Sequence, residues 1–301
     1  MASPTDSVRE VVVGSDRDGQ RLDNFISREL GNVPRALIYR LIRTGQVRIN
    51  GSRAKPAHKL GAGDRVRVPP VRRDGAPRAR LPKGRLRQVA DAVVHRQDEY
   101  VVIDKPAGLA SQRGSGLAFG LADLVAELVP GAVPVHRLDR QTSGLIVFAI
   151  GTAAARALQQ EFRAGRVEKR YLALMDWHLS EPRVVVDQPL KTVRDGGGQA
   201  RSLVDADGKP ARTVFRRLRR LPGRDYVEVT LETGRTHQIR AHAAWLGAPL
   251  AGDDRYNPEP PPAGLSRLFL HAAYLRLAWP VDRVFCSPLP EPLEHVLDAL
   301  S

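Results

Sequence analysis

Apolar residues recur at helical spacing in two stretches near the start of the chain. Leu22, Phe25, Ile26 and Leu30 fall on one side of RLDNFISREL, and Leu37, Ile38, Leu41 and Ile42 on one side of PRALIYRLIRTG. This spacing predicts two short amphipathic helices. Pro34 takes a favoured first-turn position in the second, and Gly45 closes it. The polar side of that helix carries Arg35, Arg40 and Arg43. Next comes VRINGSR, in which Asn50-Gly51 follows alternating residues, a strong hairpin signal. In GDRVRVP, residues 63–69, Val66 and Val68 alternate with Arg65 and Arg67 as in a half-buried strand. Residues 1–70 therefore read as a small helix–helix–hairpin module with one basic face.

The pattern lapses over residues 71–88, VRRDGAPRARLPKGRLRQ, where prolines, glycines and basic side chains leave little that is apolar. This reads as a linker that orders on a polyanion. From residue 89 short β-like runs dominate: 92–96, 100–105, 144–150, 170–175, 212–218, 225–232 and 273–279. Helical spacing appears at 119–128, 152–165 and 236–247, and YNPEPPPAGL, residues 256–265, reads as a mobile loop. Strands outnumber helices without a regular βαβ rhythm. The expected class is α+β, with residues 89–301 forming a mixed, largely antiparallel sheet flanked by helices.

Composition adds a partner. The 301 residues carry 47 Lys and Arg against 33 Asp and Glu, a net charge of +14. The excess is lopsided: residues 1–90 hold 20 basic and 8 acidic side chains, residues 91–301 hold 27 and 25. A polyanion that meets mainly the N-terminal module accounts for this asymmetry; a solvated charged face is the competing reading. No apolar run approaches the ~18 residues of a membrane span, and the first residues lack a secretory pattern. The single cysteine, Cys286, makes neither an internal disulfide nor a cysteine-based zinc site. A cytoplasmic protein that uses no metal is expected.

Familiar catalytic signatures are missing. There is no phosphate loop, GSGLAFG (114–120) has the wrong spacing for a dinucleotide fingerprint, and no HExxH or GxSxG occurs. His237 and His242 are five apart, off a single metal-facing stripe. What remains is HRLDRQTSGLIVFA, residues 136–149, a polar turn running into a buried strand. Asp139 is thereby held at a sheet edge, among His136, Arg137 and Arg140, and nearby positive charge favours its ionised form. Such a carboxylate serves as a nucleophile or stabilises oxocarbenium-like charge; an ion-paired, turn-capping role is the alternative. In GRTHQIRAH (234–242), Arg235 and His237 mark a strand-to-helix corner, with Arg240 one turn on. In EKRYLAL (168–174), Tyr171 lies in a strand beside Lys169 and Arg170, placed either to stack on a base or to pack in the core.

HRLDRQTSG, EKRYLAL, GRTHQIRAH and RLFLHAAYL (267–275) together resemble the RluA-type family of pseudouridine synthases. Residues 20–68 resemble the RNA-binding domain named for ribosomal protein S4. The resemblance implies the pseudouridine synthase fold and the isomerisation of uridine to pseudouridine in RNA, with no cofactor. Softer motifs point to the branch acting on large-subunit (23S) ribosomal RNA; the RNA is met either naked or in a pre-ribosomal particle, and a monomer is expected. Transfer RNA is an alternative substrate, and a non-catalytic ribosome-assembly factor an alternative class. The resemblance also implies roles. Asp139 is the catalytic aspartate, Arg240 its ion-pair partner and Tyr171 the active-site tyrosine. Arg137 fills the gap left by an extruded nucleotide, and Leu270 lines the uracil pocket. Arg40 and Arg43 are expected to contact RNA phosphates.

Overall fold

A computed structural model describes residues 7–31, 33, 35–71, 81–113, 117–194 and 200–301. Pro34, half of the expected linker (72–80) and Gly114-Ser115-Gly116 lie outside the described residues. The chain divides into two compact units, Met1–Arg78 and Ala79–Ser301.

In the first unit, strand β1 (Arg9–Val12) precedes helices α1 (Leu22–Leu30) and α2 (Arg35–Arg43), then strands β2 (Arg48–Ile49) and β3 (Arg65–Val68). The strands form an antiparallel sheet in the order β1-β3-β2. Leu22, Phe25 and Ile26 of α1 and Ile38, Leu41 and Ile42 of α2 share one core with Val66 and Val68. Each fully buried side chain of this kind contributes about 1.5–3 kcal/mol. Asn50 and Gly51 take φ of +48° and +80° in the expected tight turn. The returning chain pairs only at Ser52, so β2 finds its strand partner in β3 instead.

The second unit begins with a helix where a linker was expected. The C-terminal part of the expected linker is helix α3 (Lys83–Asp91). Leu86 and Val89, three apart on one side of it, reach the main core together with Leu81. Two apolar contacts at i and i+3 outweigh the run of basic residues around them.

There follow β4 (Val93–Arg96), β5 (Tyr100–Lys105), α4 (Leu121–Leu128), β6 (Ala132–Pro134), β7 (Ser143–Ile150), α5 (Thr152–Arg163) and β8 (Glu168–Asp176). Next are β9 (Arg183–Asp187), β10 (Leu190–Arg194), β11 (Ala200–Val204), β12 (Arg212–Leu221), β13 (Arg224–Leu231) and α6 (Gln238–Trp245). Strands β14 (Leu270–Leu277) and β15 (Arg283–Cys286) and helix α7 (Glu291–Ala299) complete the unit. The main sheet runs β4-β5-β7-β14-β8-β13-β12-β9, with β6 on β7 and β15 on β14. Among the described residues its ladders are antiparallel except β7–β14. Strands β10 and β11 form a separate hairpin.

Strands β5 and β7 are buried on both faces, and their alternating side chains divide between two cores. Val101, Ile103, Ile146 and Phe148 face Leu121 and Leu124 of α4. Tyr100, Val102, Leu145 and Val147 face Ala154 and Leu158 of α5. The parallel β7–β14 junction depends on Gly144: its φ is +108°, and a Cβ there would stand 2.3 Å from the carbonyl oxygen of Ala272. The loop read as mobile is tied at both ends, with Tyr256 and Leu265 buried and Asn257 Nδ2 donating to Asp176 and to the Leu250 carbonyl. Among the described residues, no helix is long and apolar enough to cross a membrane.

Candidate active site

A cleft of about 540 Å³ opens in the second unit, between the turn that enters β7, the start of β8 and the corner that leads into α6. Its size falls within the roughly 300–1,000 Å³ range of ligand pockets. Asp139, Tyr171, Arg240, Arg137 and Leu270 all line it, although they come from four separate segments of the chain.

The backbone on both sides of Asp139 is gripped by the loop after β5. Leu138 N–H donates to Ser111 Oγ (2.9 Å), whose hydroxyl donates back to the Leu138 carbonyl (2.7 Å). Arg140 offers its carbonyl to Gly108 N–H (2.8 Å) and to Lys105 Nζ (3.3 Å). Lys105 Nζ also donates to the carbonyls of Leu109 (2.9 Å) and Pro106 (3.0 Å). Its pKa is pulled down to about 7 by burial, against the pull of Asp139. Below the turn, Arg267 donates to the Gln141 carbonyl and to Ser143 Oγ, which also bonds His271 Nδ1. The side chain of Asp139 is 17% exposed, so it projects into the cleft from a fixed backbone.

The cations around Asp139 differ from those adjacent in sequence. His136 turns inward: its ring stacks on Phe162 at 4.6 Å, and Nε2 accepts the Val147 N–H (2.9 Å). Burial, reinforced by Lys169, lowers its pKa to about 3, so it carries no charge near neutral pH. Arg140 donates Nε to the Gly108 carbonyl rather than to Asp139 (2.9 Å). The groups that approach the carboxylate come from α6 and its corner: Arg240 Nη1 at 3.5 Å and His237 Nε2 at 3.8 Å.

Arg240 is held mainly elsewhere. Its Nε and Nη2 grip Asp253 in a two-pronged pair (2.7 and 2.6 Å), leaving Nη1 directed toward Asp139. Both partners are buried, at 5% and 0% side-chain exposure. Burial opposes the guanidinium charge, but Asp253 and then Asp139 outweigh it and raise its pKa. His237 has a left-handed backbone, φ +52°, in the corner, a conformation that strains a non-glycine residue and clusters at functional sites. Its Nδ1 lies 3.1 Å from Tyr256 Oη, which itself accepts the Ser202 N–H at 2.8 Å. Tyr256 Oη and Asp139 thus face the two ring nitrogens of His237, Nδ1 and Nε2. Burial holds the His237 pKa below its usual value, Asp139 pulling the other way and Arg240 and Arg255 reinforcing the drop.

Tyr171, 6% exposed in β8, and Leu270, 3% exposed at the start of β14, form apolar walls of the cleft. Burial and then Asp139 push the Tyr171 pKa up, so the phenol keeps its proton. Arg137 is exposed at the rim. Arg40 and Arg43 are exposed on α2 in the first unit. Sequence reasoning missed Lys105, Ser111, Asp253 and Tyr256. For Lys105 a signal existed, in that it ends the strand-like run YVVIDK directly after four apolar residues and Asp104. Asp253 and Tyr256 gave none, because their roles arise from packing against α6.

Residues 99–245 match the RNA pseudouridylate synthase family, and residues 20–66 match the S4 domain. Ribosomal large subunit pseudouridine synthase C of Vibrio vulnificus is 38% identical over 97% of this chain and 96% of its own. Its counterpart in Escherichia coli K12 is 38% identical over 100% of this chain and 99% of its own. Among solved structures, human RNA pseudouridylate synthase domain containing 4 has a TM-score of 0.60 and 25% identity, covering 72% of this chain and 95% of that one. Human RNA pseudouridylate synthase domain containing 1 has a TM-score of 0.56 and 27% identity, over 69% and 94% respectively. With an aspartate at the floor of a nucleotide-sized cleft, an S4 domain ahead of it and relatives matched end to end, the chain belongs to the RNA pseudouridylate synthase family.

Proposed function

We propose that this protein isomerises uridine to pseudouridine in large-subunit (23S) ribosomal RNA, acting as a monomer in the cytoplasm, with Asp139 as the group that acts on the sugar. The reaction breaks the bond from uracil N1 to the anomeric carbon, turns the base and rejoins it through C5. The C5 proton leaves and N1 gains one, so the atoms balance with no co-reactant. The observation that carries the reading is the placement of Asp139, fixed by hydrogen bonds to both neighbouring residues and open to the cleft.

In this reading, Asp139 attacks the anomeric carbon or steadies the charge that develops there as the base departs. Arg240 and His237 hold the carboxylate in place, and Leu270 and Tyr171 bound the uracil. The raised pKa of Tyr171 argues against its taking a proton from the ribose 2′ position. A uridine inside folded RNA must leave its stack at a cost of a few kcal/mol; Arg137 at the rim is placed to occupy the vacated position. Arg40 and Arg43 supply phosphate contacts from the S4 domain.

The test uses RNA labelled with tritium at uridine C5. Wild-type protein should release tritium from large-subunit ribosomal RNA, and Asp139→Asn should abolish release while keeping RNA affinity. Carbodiimide mapping of ribosomal and transfer RNA from a deletion strain should show sites lost only in large-subunit RNA. Undiminished release by Asp139→Asn, or losses confined to transfer RNA, would overturn the catalytic or the substrate assignment respectively.

A further inference from the structure

Three cations line the cleft away from Asp139 and have no hydrogen-bond or ion-pair partner among the described residues: Arg137, Arg163 and Lys169. Arg163 ends α5 and is exposed, so its freedom alone says little. Lys169 is different. It lies on β8 two residues before Tyr171, so both side chains leave the strand on one face, and both line the cleft. It is partly buried, and its ammonium is seated over the Phe162 ring, 5.8 Å from the centroid. Burial lowers its pKa, with no carboxylate opposing the shift.

The carboxylates of the cleft are otherwise engaged. Glu232 pairs with Arg212 at 2.9 Å, and Asp139 faces Arg240 and His237. An ammonium withdrawn from water without a counter-charge is unfavourable, and a ligand anion would relieve it. Phe162 offsets part of this penalty and is itself fixed by the neutral ring of His136. Two residues along a strand span about 7 Å. An anion at Lys169 would thus stand about one sugar–phosphate step from a ribose at the Asp139–Tyr171 end.

We propose that Lys169 and Arg163 form a phosphodiester subsite that grips the RNA backbone beside the target uridine. This deepens the reading of the cleft as a uridine site and rests on it. Lys169 supplies the half-desolvated contact, and Arg163 an exposed one at the mouth. The subsite secures the strand by charge alone, leaving the identity of the base to the other end of the cleft.

The experiment measures binding of a 23S ribosomal RNA transcript to the full chain over about 50–200 mM salt. Lys169→Met should weaken binding roughly tenfold and reduce the log–log salt slope by about 0.7, the value of one single-strand phosphate contact. Lys169→Arg should retain the slope. Arg163→Gln, at the exposed end of α5, should lower it by a smaller amount. A synthetic stem-loop around a converted uridine, carrying a neutral methylphosphonate on its 5′ or 3′ side in turn, locates the contact. One of the two should weaken wild-type binding and leave Lys169→Met unaffected. An unchanged salt slope in both variants, or a methylphosphonate penalty equal in wild type and Lys169→Met, overturns the subsite. Absence of tritium release by the wild type would instead overturn the uridine reading, whatever the salt slopes.

Discussion

Replacing Asp253 with alanine tests how the site is held together. Asp253 is fully buried and closes two short bonds on Arg240, 2.7 and 2.6 Å, while also accepting the Arg255 and Tyr256 N–H groups. Removing one partner of a buried pair leaves an uncompensated charge, at a cost of about 3–5 kcal/mol. Asp254, 3.4 Å away but 71% exposed, is too well solvated to take over. In a unit of this size each kcal/mol lowers the melting temperature by about 2–4 °C, so a fall of roughly 6–20 °C is expected. Turnover should fall further than stability implies. Arg240 Nη1 would no longer be aimed at Asp139, and a displacement of about 1 Å can cost on the order of 100-fold. The double variant Arg240→Met with Asp253→Ala removes the stranded charge and should melt above Asp253→Ala alone, yet stay inactive. Thermal melting by circular dichroism and tritium release at saturating RNA read the two effects separately. If Asp253→Ala melts within about 2 °C of wild type and turns over normally, the clamp is irrelevant and the reasoning fails.

The remaining expectations concern other supports. Gly144→Ala combines a backbone strained at φ +108° with a Cβ 2.3 Å from the Ala272 oxygen; unfolding in urea should show a loss of at least about 3 kcal/mol. Lys105→Met strands the carbonyls of Pro106 and Leu109 and leaves that of Arg140 with Gly108 N–H alone, and hydrogen exchange should reveal faster opening of amides 138–142 along with a loss of about 2–4 kcal/mol. His136 has a folded pKa of about 3, below its ordinary 6.5. The stability it contributes is complete above about 6.5 and is lost as pH falls toward 3, with a slope of up to about 1.4 kcal/mol per unit; His136→Gln should flatten an acid-denaturation profile over that window. Arg40→Ala with Arg43→Ala should weaken RNA binding alike across sequences and lower the salt slope by about 1.4; an unchanged slope would make that face of α2 merely solvated.

The strands that the sequence revealed are those buried on both faces or alternating cleanly. The run GLIVFAI is apolar because β7 is covered on one side by α4 and on the other by α5. Strands β10 and β11 went unseen because LKTVR and ARSLV form a hairpin outside the main sheet, with mostly exposed side chains and no stable alternation. Helix α3 was misread for the opposite reason: its buried Val89 and half-buried Leu86 are hidden among charges that solvate its other sides.

The site divides along the same physical line. Asp139 stood out locally, as a carboxylate in a polar turn that runs into a buried strand; Tyr171, Arg240 and Leu270 were reached through the resemblance of their blocks to RluA-type synthases. The charge balance around Asp139 did not stand out. Neighbours in sequence supplied His136 and Arg140, yet a turn directs alternate side chains apart: His136 serves β7 as a neutral acceptor and Arg140 serves the loop after β5. The groups that do face the carboxylate come from α6, about a hundred residues later, and they are aimed by Asp253 and Tyr256, which follow α6. Sequence adjacency therefore singles out a candidate carboxylate, because exposing one at the end of a buried strand is a local demand. Which charges surround it is decided by segments that meet only in the folded chain, and the cost of Asp253→Ala measures how far that arrangement depends on them.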